Sequence, residues 1–206
     1  MGCSDSTPKM SLTEEYVKAG LQMPAFSEYE NEYEKQIYFA INMCRYNPAG
    51  FVPYVRDASK HPGLAKVPES VVKNLIEYLK KAEHLRPVYF DDQAMEAVRK
   101  NNKEKIALNQ EQPDLLGNVD AYLAIAGEDK KDTVEEFTIF NWENPCAQIL
   151  VAFQLIHNWN REGEAHFHSP ILDENTTRVG ISNKPHQQCV NLIQILYVKK
   201  VPTMLE

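Results

Sequence analysis

Two histidines two residues apart, His166 and His168, are the most evident candidates for chemistry in this sequence. They lie in the stretch "EAHFHSPILDENTTRVGIS", residues 164–182, together with Asp173 and several hydroxyl side chains. Imidazole nitrogens and carboxylates bind divalent metals when they converge from different segments of a fold. Histidines in loops also commonly brace the backbone through hydrogen bonds. The stretch therefore predicts a metal or catalytic site only if other segments supply the remaining groups.

Nucleophilic catalysis is poorly supported by the same region. Ser169 and Ser182 lie near the histidines in sequence, but no nucleophile-elbow motif surrounds either serine. Cys146 falls in the first turn of a predicted helix, where the helix dipole could lower a thiol pKa. That helix is strongly apolar, so we expect Cys146 to be part of the core and Cys189 to be a buried thiol.

The length, charge and cysteine content of the chain indicate what class of protein it belongs to. The chain has 206 residues, of which 43% are hydrophobic and 25% charged, as expected for one domain with an ordinary core. The formal net charge of −7 argues against nucleic acid as a partner. The four cysteines are widely spaced and the start lacks an apolar signal segment, so we expect reduced thiols in a protein that is not secreted.

The first six residues, MGCSDS, match a myristoylation pattern. Gly2 follows Met1, and Ser6 occupies the position where the pattern requires a small hydroxyl residue. One myristoyl chain binds membranes only marginally, so we expect Cys3 to carry a second, thioester-linked chain. The alternative is a chance Met-Gly-Cys start on a disordered arm.

Periodicity predicts a set of helices that precede a short sheet. We interpret residues 1–26 as an arm, residues 27–200 as one domain and residues 201–206 as a tail. A capping box at Ser27 and Glu30 predicts the first helix, which should end at Asn47-Pro48. Further helices are predicted over 68–84, from Asp91 or Asp92 to about residue 110, and after Asn144-Pro145.

Strands are predicted where β-branched and aromatic residues concentrate. These are "TVEEFTIFNW", "TTRVGIS" and "CVNLIQILYVKK", the last two close enough to pair as a hairpin. The segment "PDLLGNVDAYLAIAGEDKKD" is predicted to be a loop. The expected class is α+β: a three-layer α-β-α sandwich with a small antiparallel sheet.

The order of these segments resembles a known superfamily. "INMCRYNPAGF", "HLRPVYFDDQAMEAV" and "HFHSPILDENTTRVGIS", followed by a last strand, are similar to a CAP-superfamily domain over roughly residues 28–199. That superfamily includes cysteine-rich secretory proteins, insect antigen 5 and plant pathogenesis-related proteins. The acylation motif resembles its intracellular, Golgi-associated branch, which lacks disulfides and attaches to the cytosolic membrane face. The resemblance implies an α-β-α sandwich whose cleft holds two histidines, two acidic residues and a divalent metal.

This sequence departs from that cleft. The second family histidine matches His166, with His168 as a rival, but the position of the first reads Asn118 in "LLGNVD". An acidic ligand could come from Glu135 or Glu136, and a one-residue shift along a strand turns the side chain to the other face. The resemblance therefore implies a degenerate cleft, for which we expect no metal, no cofactor and no catalytic residue.

The function expected from these features is binding, as in a pseudoenzyme. We expect a non-enzymatic scaffold at a membrane surface or in a larger, for example ciliary or cytoskeletal, assembly, with a protein partner that the sequence does not identify. One alternative is a metal-assisted hydrolase that uses His166 with Glu135 or Glu136. Another is a lipid or sterol carrier whose groove is lined by the helix at 145–159.

Four tyrosines near the start of the domain have two interpretations. They form either a contact surface for a partner or part of ordinary helix packing. The four are Tyr16, Tyr29, Tyr33 and Tyr38.

Overall fold

A computed structural model describes residues 10–109, 117–127, 133–162 and 169–200. Within these ranges the chain forms seven α-helices and one four-stranded sheet, which confirms the α+β class. The helices are α1 (Leu12–Lys18), α2 (Glu32–Tyr46), α3 (Val52–Ala58), α4 (Glu69–Lys81), α5 (Asp92–Leu108), α6 (Asn118–Ala126) and α7 (Ala147–Glu162). The strands are β1 (Tyr89–Phe90), β2 (Thr133–Phe140), β3 (Thr176–Pro185) and β4 (Asn191–Lys199).

The sheet has the order β1-β3-β4-β2. The predicted hairpin of β3 and β4 is confirmed, and β2 pairs with the other side of β4, also antiparallel. The two-residue strand β1 adds a parallel edge against β3, so the sheet is mixed and not wholly antiparallel as expected. Long-range antiparallel pairing places the middle and the end of the chain side by side.

Successive side chains of β4 alternate between two hydrophobic cores, one on each face of the sheet. Ile193, Ile195 and Tyr197 face the larger core, to which helices α1, α2, α3, α4 and α7 also contribute residues. Leu196 and Val198 face a smaller core built with α5 and α6. Because successive strand residues point to opposite faces, one strand serves both cores and three layers result.

Helix α7 is the buried helix that the sequence predicts. Its buried side chains include Leu150, Val151, Leu155 and Ile156, all fully inaccessible. The Tyr197 hydroxyl donates to Gln154 Oε1 at 2.8 Å, which satisfies both polar groups within this core. Among the described helices, none combines the length and apolar character that crossing a bilayer requires.

Helix α2 begins later than its predicted start at Ser27. Asn31 is the N-cap, and its Oδ1 accepts from the Glu34 backbone N–H at 3.0 Å. The Glu34 carboxylate is itself buried, and burial raises its pKa. The predicted end of this helix at Asn47-Pro48 is confirmed.

A short helix forms inside the segment that the sequence analysis interpreted as an arm. Helix α1 starts with a capping box in which Ser11 and Glu14 exchange hydrogen bonds. Tyr16 is fully buried, stacks on Phe39 at 4.0 Å between ring centroids and donates from its hydroxyl to the Gln22 carbonyl at 2.9 Å. Residues 12–22 are thereby packed against α2.

Helix α5 lies directly on β3, and this contact sets its distance from the sheet. A Cβ atom added at Gly180 would lie 2.5 Å from the carbonyl carbon and oxygen of Ala94. The Asp91 side chain caps α5 by accepting from the Ala94 N–H at 2.8 Å and pairs with Arg178 of β3 at 2.6 Å. The absence of a side chain at Gly180 therefore allows the helix to approach the sheet.

We predict that Gly180→Ala lowers the free energy of unfolding by about 1–3 kcal/mol, because the added methyl group overpacks against backbone atoms. Denaturant unfolding followed by circular dichroism measures the change. Thr177→Ala, at a half-buried position of the same strand, is the control and should cost less. Equal effects of the two substitutions would contradict the close approach of α5.

Candidate functional site

Asn118, the residue predicted to replace a cleft histidine, opens helix α6. The sequence prediction of a loop here is wrong, since Asn118–Ala126 is helical. The preceding Gly117 is the N-cap residue and has a backbone φ of 107°, a conformation that favours glycine. Gly117 thus turns the chain so that Asn118 enters the space between α5, α6 and β2, where it is fully buried.

The polar groups of Asn118 all have partners within the fold. Its Oδ1 accepts from Asn101 Nδ2 at 2.8 Å, and its Nδ2 lies 3.3 Å from the Thr138 hydroxyl as donor. Its backbone N–H donates to Glu136 Oε2 at 3.0 Å. Asn118, Asn101, Glu136 and Thr138, hereafter the amide cluster, therefore link α5, α6 and β2.

Glu135 and Glu136 lie on opposite faces of β2. Glu136 pairs in register with Leu196 of β4 and shares the α6 face with Thr138. Glu135 forms an ion pair with Lys199 on the other face, and Lys199 also pairs with Asp173 at 2.9 Å. Of the two candidate acids, the structure brings only Glu136 to Asn118.

Glu136 also has an electrostatic role at this position. The first N–H groups of a helix lack intrahelical partners and carry partial positive charge. The carboxylate of Glu136 accepts one of these N–H groups at the start of α6. This contact offsets the cost of placing a carboxylate in a half-buried site.

A row of polar side chains extends the amide cluster across the sheet. Gln194 of β4 stands opposite Thr138 of β2 and Ser182 of β3, and all three belong to the face covered by α5. Asn102 of α5 donates to the Ser182 hydroxyl at 3.1 Å. Gln194 is fully buried, and its amide oxygen and nitrogen have no hydrogen-bond partner among the described residues.

Sequence reasoning missed Gln194, although a signal was present. A glutamine stands between Ile193 and Ile195 in an otherwise apolar strand, and buried amides are rare without a reason. The row consists of neutral amide and hydroxyl groups with one carboxylate at its end. Such groups exchange hydrogen bonds with each other, with water or with a polar ligand, but they are weak ligands for zinc-like ions.

Four other predicted site residues lie outside the described residues. They are Gly2, Cys3, His166 and His168. Within the described ranges, no group of three or more His, Cys, Asp or Glu side chains is arranged to hold a metal ion. The amide cluster is thus the part of the predicted cleft whose geometry is known.

The described cysteines are unpaired thiols. Burial raises the pKa of Cys44 and of Cys189, so both favour the protonated form, which is a poor nucleophile. Cys146 is only half-buried, although we expected it in the core, and its Sγ donates to Gln148 Oε1 at 3.3 Å.

Tyrosines near the start of the domain and helix α7 both contribute to the larger core. Tyr16 and Tyr38 are buried, and the Tyr33 hydroxyl donates to the Asn144 carbonyl at 2.9 Å, so three of the four tyrosines serve helix packing. The apolar side chains of α7, such as Leu150, pack in the larger core, and a lipid carrier based on this helix stays a prediction.

We predict that Asn118→Ala lowers the free energy of unfolding by about 1–3 kcal/mol, because the Asn101 amide and the Thr138 hydroxyl lose buried partners. Asp120→Ala, an exposed position in the same helix, is the matched control and should cost less than about 1 kcal/mol. Thermal or denaturant unfolding of the two variants measures the difference. A fully stable Asn118→Ala protein would show that the amide cluster does not brace the fold.

Comparison with known proteins adds no identification to this geometry. No family model matches the chain, and neither a curated protein nor a solved structure matches it significantly. The resemblance to the CAP superfamily therefore stays a prediction that rests on the sequence segments quoted above.

Proposed function

We propose that this chain is a non-enzymatic, CAP-like binding protein that acylation at Gly2 and Cys3 attaches to the cytosolic face of a membrane. One observation carries the non-catalytic part of the proposal. Asn118 stands where the family resemblance implies a histidine, and its side-chain oxygen and nitrogen are both engaged within the fold. A residue committed in this way braces the cleft and does not act on a substrate.

The contacts of Glu136 support the same proposal. A general base or metal ligand needs a lone pair directed at the place where a substrate or ion binds. Glu136 Oε2 instead accepts the first N–H of α6, and its neighbour Glu135 is paired with Lys199 on the far side of the sheet. The acidic groups of the candidate site are thus used to fix α6 and β2.

A surface suited to a protein partner lies on the side of α5 that faces away from the amide cluster. Phe26 is 89% exposed and lies 6.1 Å from the Tyr29 ring. The adjoining residues Ser27 and Glu28 border a groove of about 620 Å³ along α5. Its lining combines apolar residues with charges of both signs: Phe90, Met95, Ile106, Glu96, Arg99, Lys100, Lys103 and Lys184. An exposed aromatic beside a polar rim is typical of protein interfaces.

Membrane attachment in this proposal depends on acyl chains and not on charge. The chain has a formal net charge of −7, and Lys9 is the only basic residue among the first nine. An acidic protein gains little from anionic lipid headgroups. Two acyl chains, on Gly2 and Cys3, would supply the two signals that stable anchoring requires.

The proposal predicts that the purified full-length protein binds zinc or manganese in less than stoichiometric amount. Glu136→Gln and Glu135→Gln form a matched pair, because they remove the same charge from opposite faces of β2. Neither substitution should change metal content or any hydrolysis of a chromogenic ester. The measurements are elemental analysis and an ester assay at neutral pH.

A metal-assisted hydrolase would give a different pattern. Stoichiometric metal lost in both Glu136→Gln and His166→Ala, but retained in Glu135→Gln, would overturn the non-enzymatic proposal.

For the anchor, we predict that Gly2→Ala moves the protein from the membrane fraction to the supernatant, because the myristoyl acceptor is lost. Ser4→Ala, which leaves Gly2 and Ser6 intact, is the control and should stay with membranes. Fractionation of cells that express each variant measures the distribution. Wild-type protein found mainly in the supernatant would contradict the anchor.

A further inference from the structure

A second groove, with a volume of about 530 Å³, lies between α1, the end of α2 and the start of α3. We call it the α1 groove. Most of its lining residues are apolar, and polar side chains complete the rim. The apolar residues are Met10, Leu12, Ala19, Met43, Tyr46, Gly50, Phe51, Pro53 and Tyr54, and the polar ones are Glu15, Lys18, Asn47 and Gln148. The volume falls within the range of about 300–1,000 Å³ typical of sites for small ligands. The groove does not belong to the amide cluster, which α5, α6 and β2 form on the other side of the sheet.

Two of the lining residues are unusually exposed for their type. Met10 is 39% and Tyr46 is 41% accessible, although both line a mostly apolar groove. Methionine side chains are flexible and adapt to irregular apolar ligands, and Met43 lies on the α2 side of the same groove. The apolar part of this lining, which includes Met10, Met43 and Phe51, suits an unbranched hydrocarbon chain.

We propose that the α1 groove stores the acyl chain attached to Gly2, in exchange with a membrane-inserted state. This inference rests on the acylation that the proposed function includes. The occupant is chosen by tethering, because Met10 lines the groove and only eight residue steps separate it from Gly2. Eight residues span at most about 26–29 Å when extended, which is enough to return the acyl group to a groove that begins at Met10.

The balance between storage and membrane insertion depends on the binding constant of the acyl chain and on its effective concentration near the groove. A single myristoyl chain binds a bilayer with a constant of only about 10⁴ M⁻¹. A short tether holds a ligand at an effective concentration on the order of 1 mM. If the groove binds the chain as well as a bilayer does, the stored form outnumbers the free form by about ten to one. The groove therefore lowers membrane affinity about tenfold when only Gly2 is acylated.

The test uses the full chain, with Cys3→Ser to leave one acylation site. N-myristoyltransferase attaches ¹³C-labelled myristate to Gly2, and NMR follows contacts between the acyl chain and the methyl groups of Met10 and Met43. We expect nuclear Overhauser contacts from the acyl chain to Met43, which lies in α2. This measurement needs no substitution in the groove, so it does not depend on the folding of a variant.

A second arm measures binding of the same acylated protein to phosphatidylcholine vesicles. Ala19→Trp fills the groove that Ala19 lines, and it should raise the vesicle binding constant about tenfold. Val17→Trp is the matched control, because Val17 is 57% exposed, lies on α1 and is not among the groove residues. It should bind vesicles like the unsubstituted protein.

The possible outcomes separate this inference from the proposed function. Acylated protein without contacts to Met43, or equal vesicle binding by both tryptophan variants, overturns storage and leaves the anchor standing. Contacts that appear only between differently labelled chains show a second copy in the groove and also overturn storage within one chain. Failure of the transferase to acylate Gly2 overturns both the anchor and the storage.

Discussion

The guanidinium group of Arg45 is the interaction on which the rest of the structure depends. It is 1% exposed and donates to four backbone carbonyls: Arg86 at 2.7 Å, Ile171 at 2.8 Å, and Asp173 and Thr176 at 3.0 Å each. Burial lowers its pKa to about 10, so the group stays charged at neutral pH and each hydrogen bond is charge-assisted. These bonds fix α2 to the segment that leads into β1 and to the turn that enters β3. A lysine has three donors on a flexible stem and could not reproduce this planar arrangement.

The register of the sheet is linked to this anchor through charged side chains. Asp173, whose carbonyl Arg45 holds, forms an ion pair with Lys199 at the end of β4, and Lys199 also pairs with Glu135 of β2. Because Glu135 is held on that face, alternation places Glu136 on the other face, where it meets the start of α6. The position of the amide cluster is thus a consequence of contacts on the opposite side of the sheet.

Strongly periodic segments were predictable from sequence, and their relative positions were not. The helix that follows Asn144-Pro145, the helix capped by Asp91 and the closing hairpin are present as the patterns indicate. Helix α6 was missed because glycines at both ends, Gly117 and Gly127, resemble loop punctuation, and helix α1 because its segment is polar. The choice between Glu135 and Glu136 required the register of β2, which a single residue of shift reverses.

Residues 10–28 contribute to both grooves of the described surface. Met10 and Leu12 line the α1 groove, and Phe26 lies at the other end of the same stretch. Between them, Tyr16 is stacked on Phe39 of α2, and its hydroxyl donates to the Gln22 carbonyl, so α1 and Gln22 are held against α2. The sheet separates the amide cluster from α1, whereas the Glu28 carbonyl accepts from Arg99 of α5, the helix that carries Asn101 of the cluster. In the storage proposed above, an acyl chain in the α1 groove would contact α1, whose Tyr16 donates to the Gln22 carbonyl on the way to Phe26. We therefore expect any effect of the stored chain on the surface near Phe26 to pass through this segment.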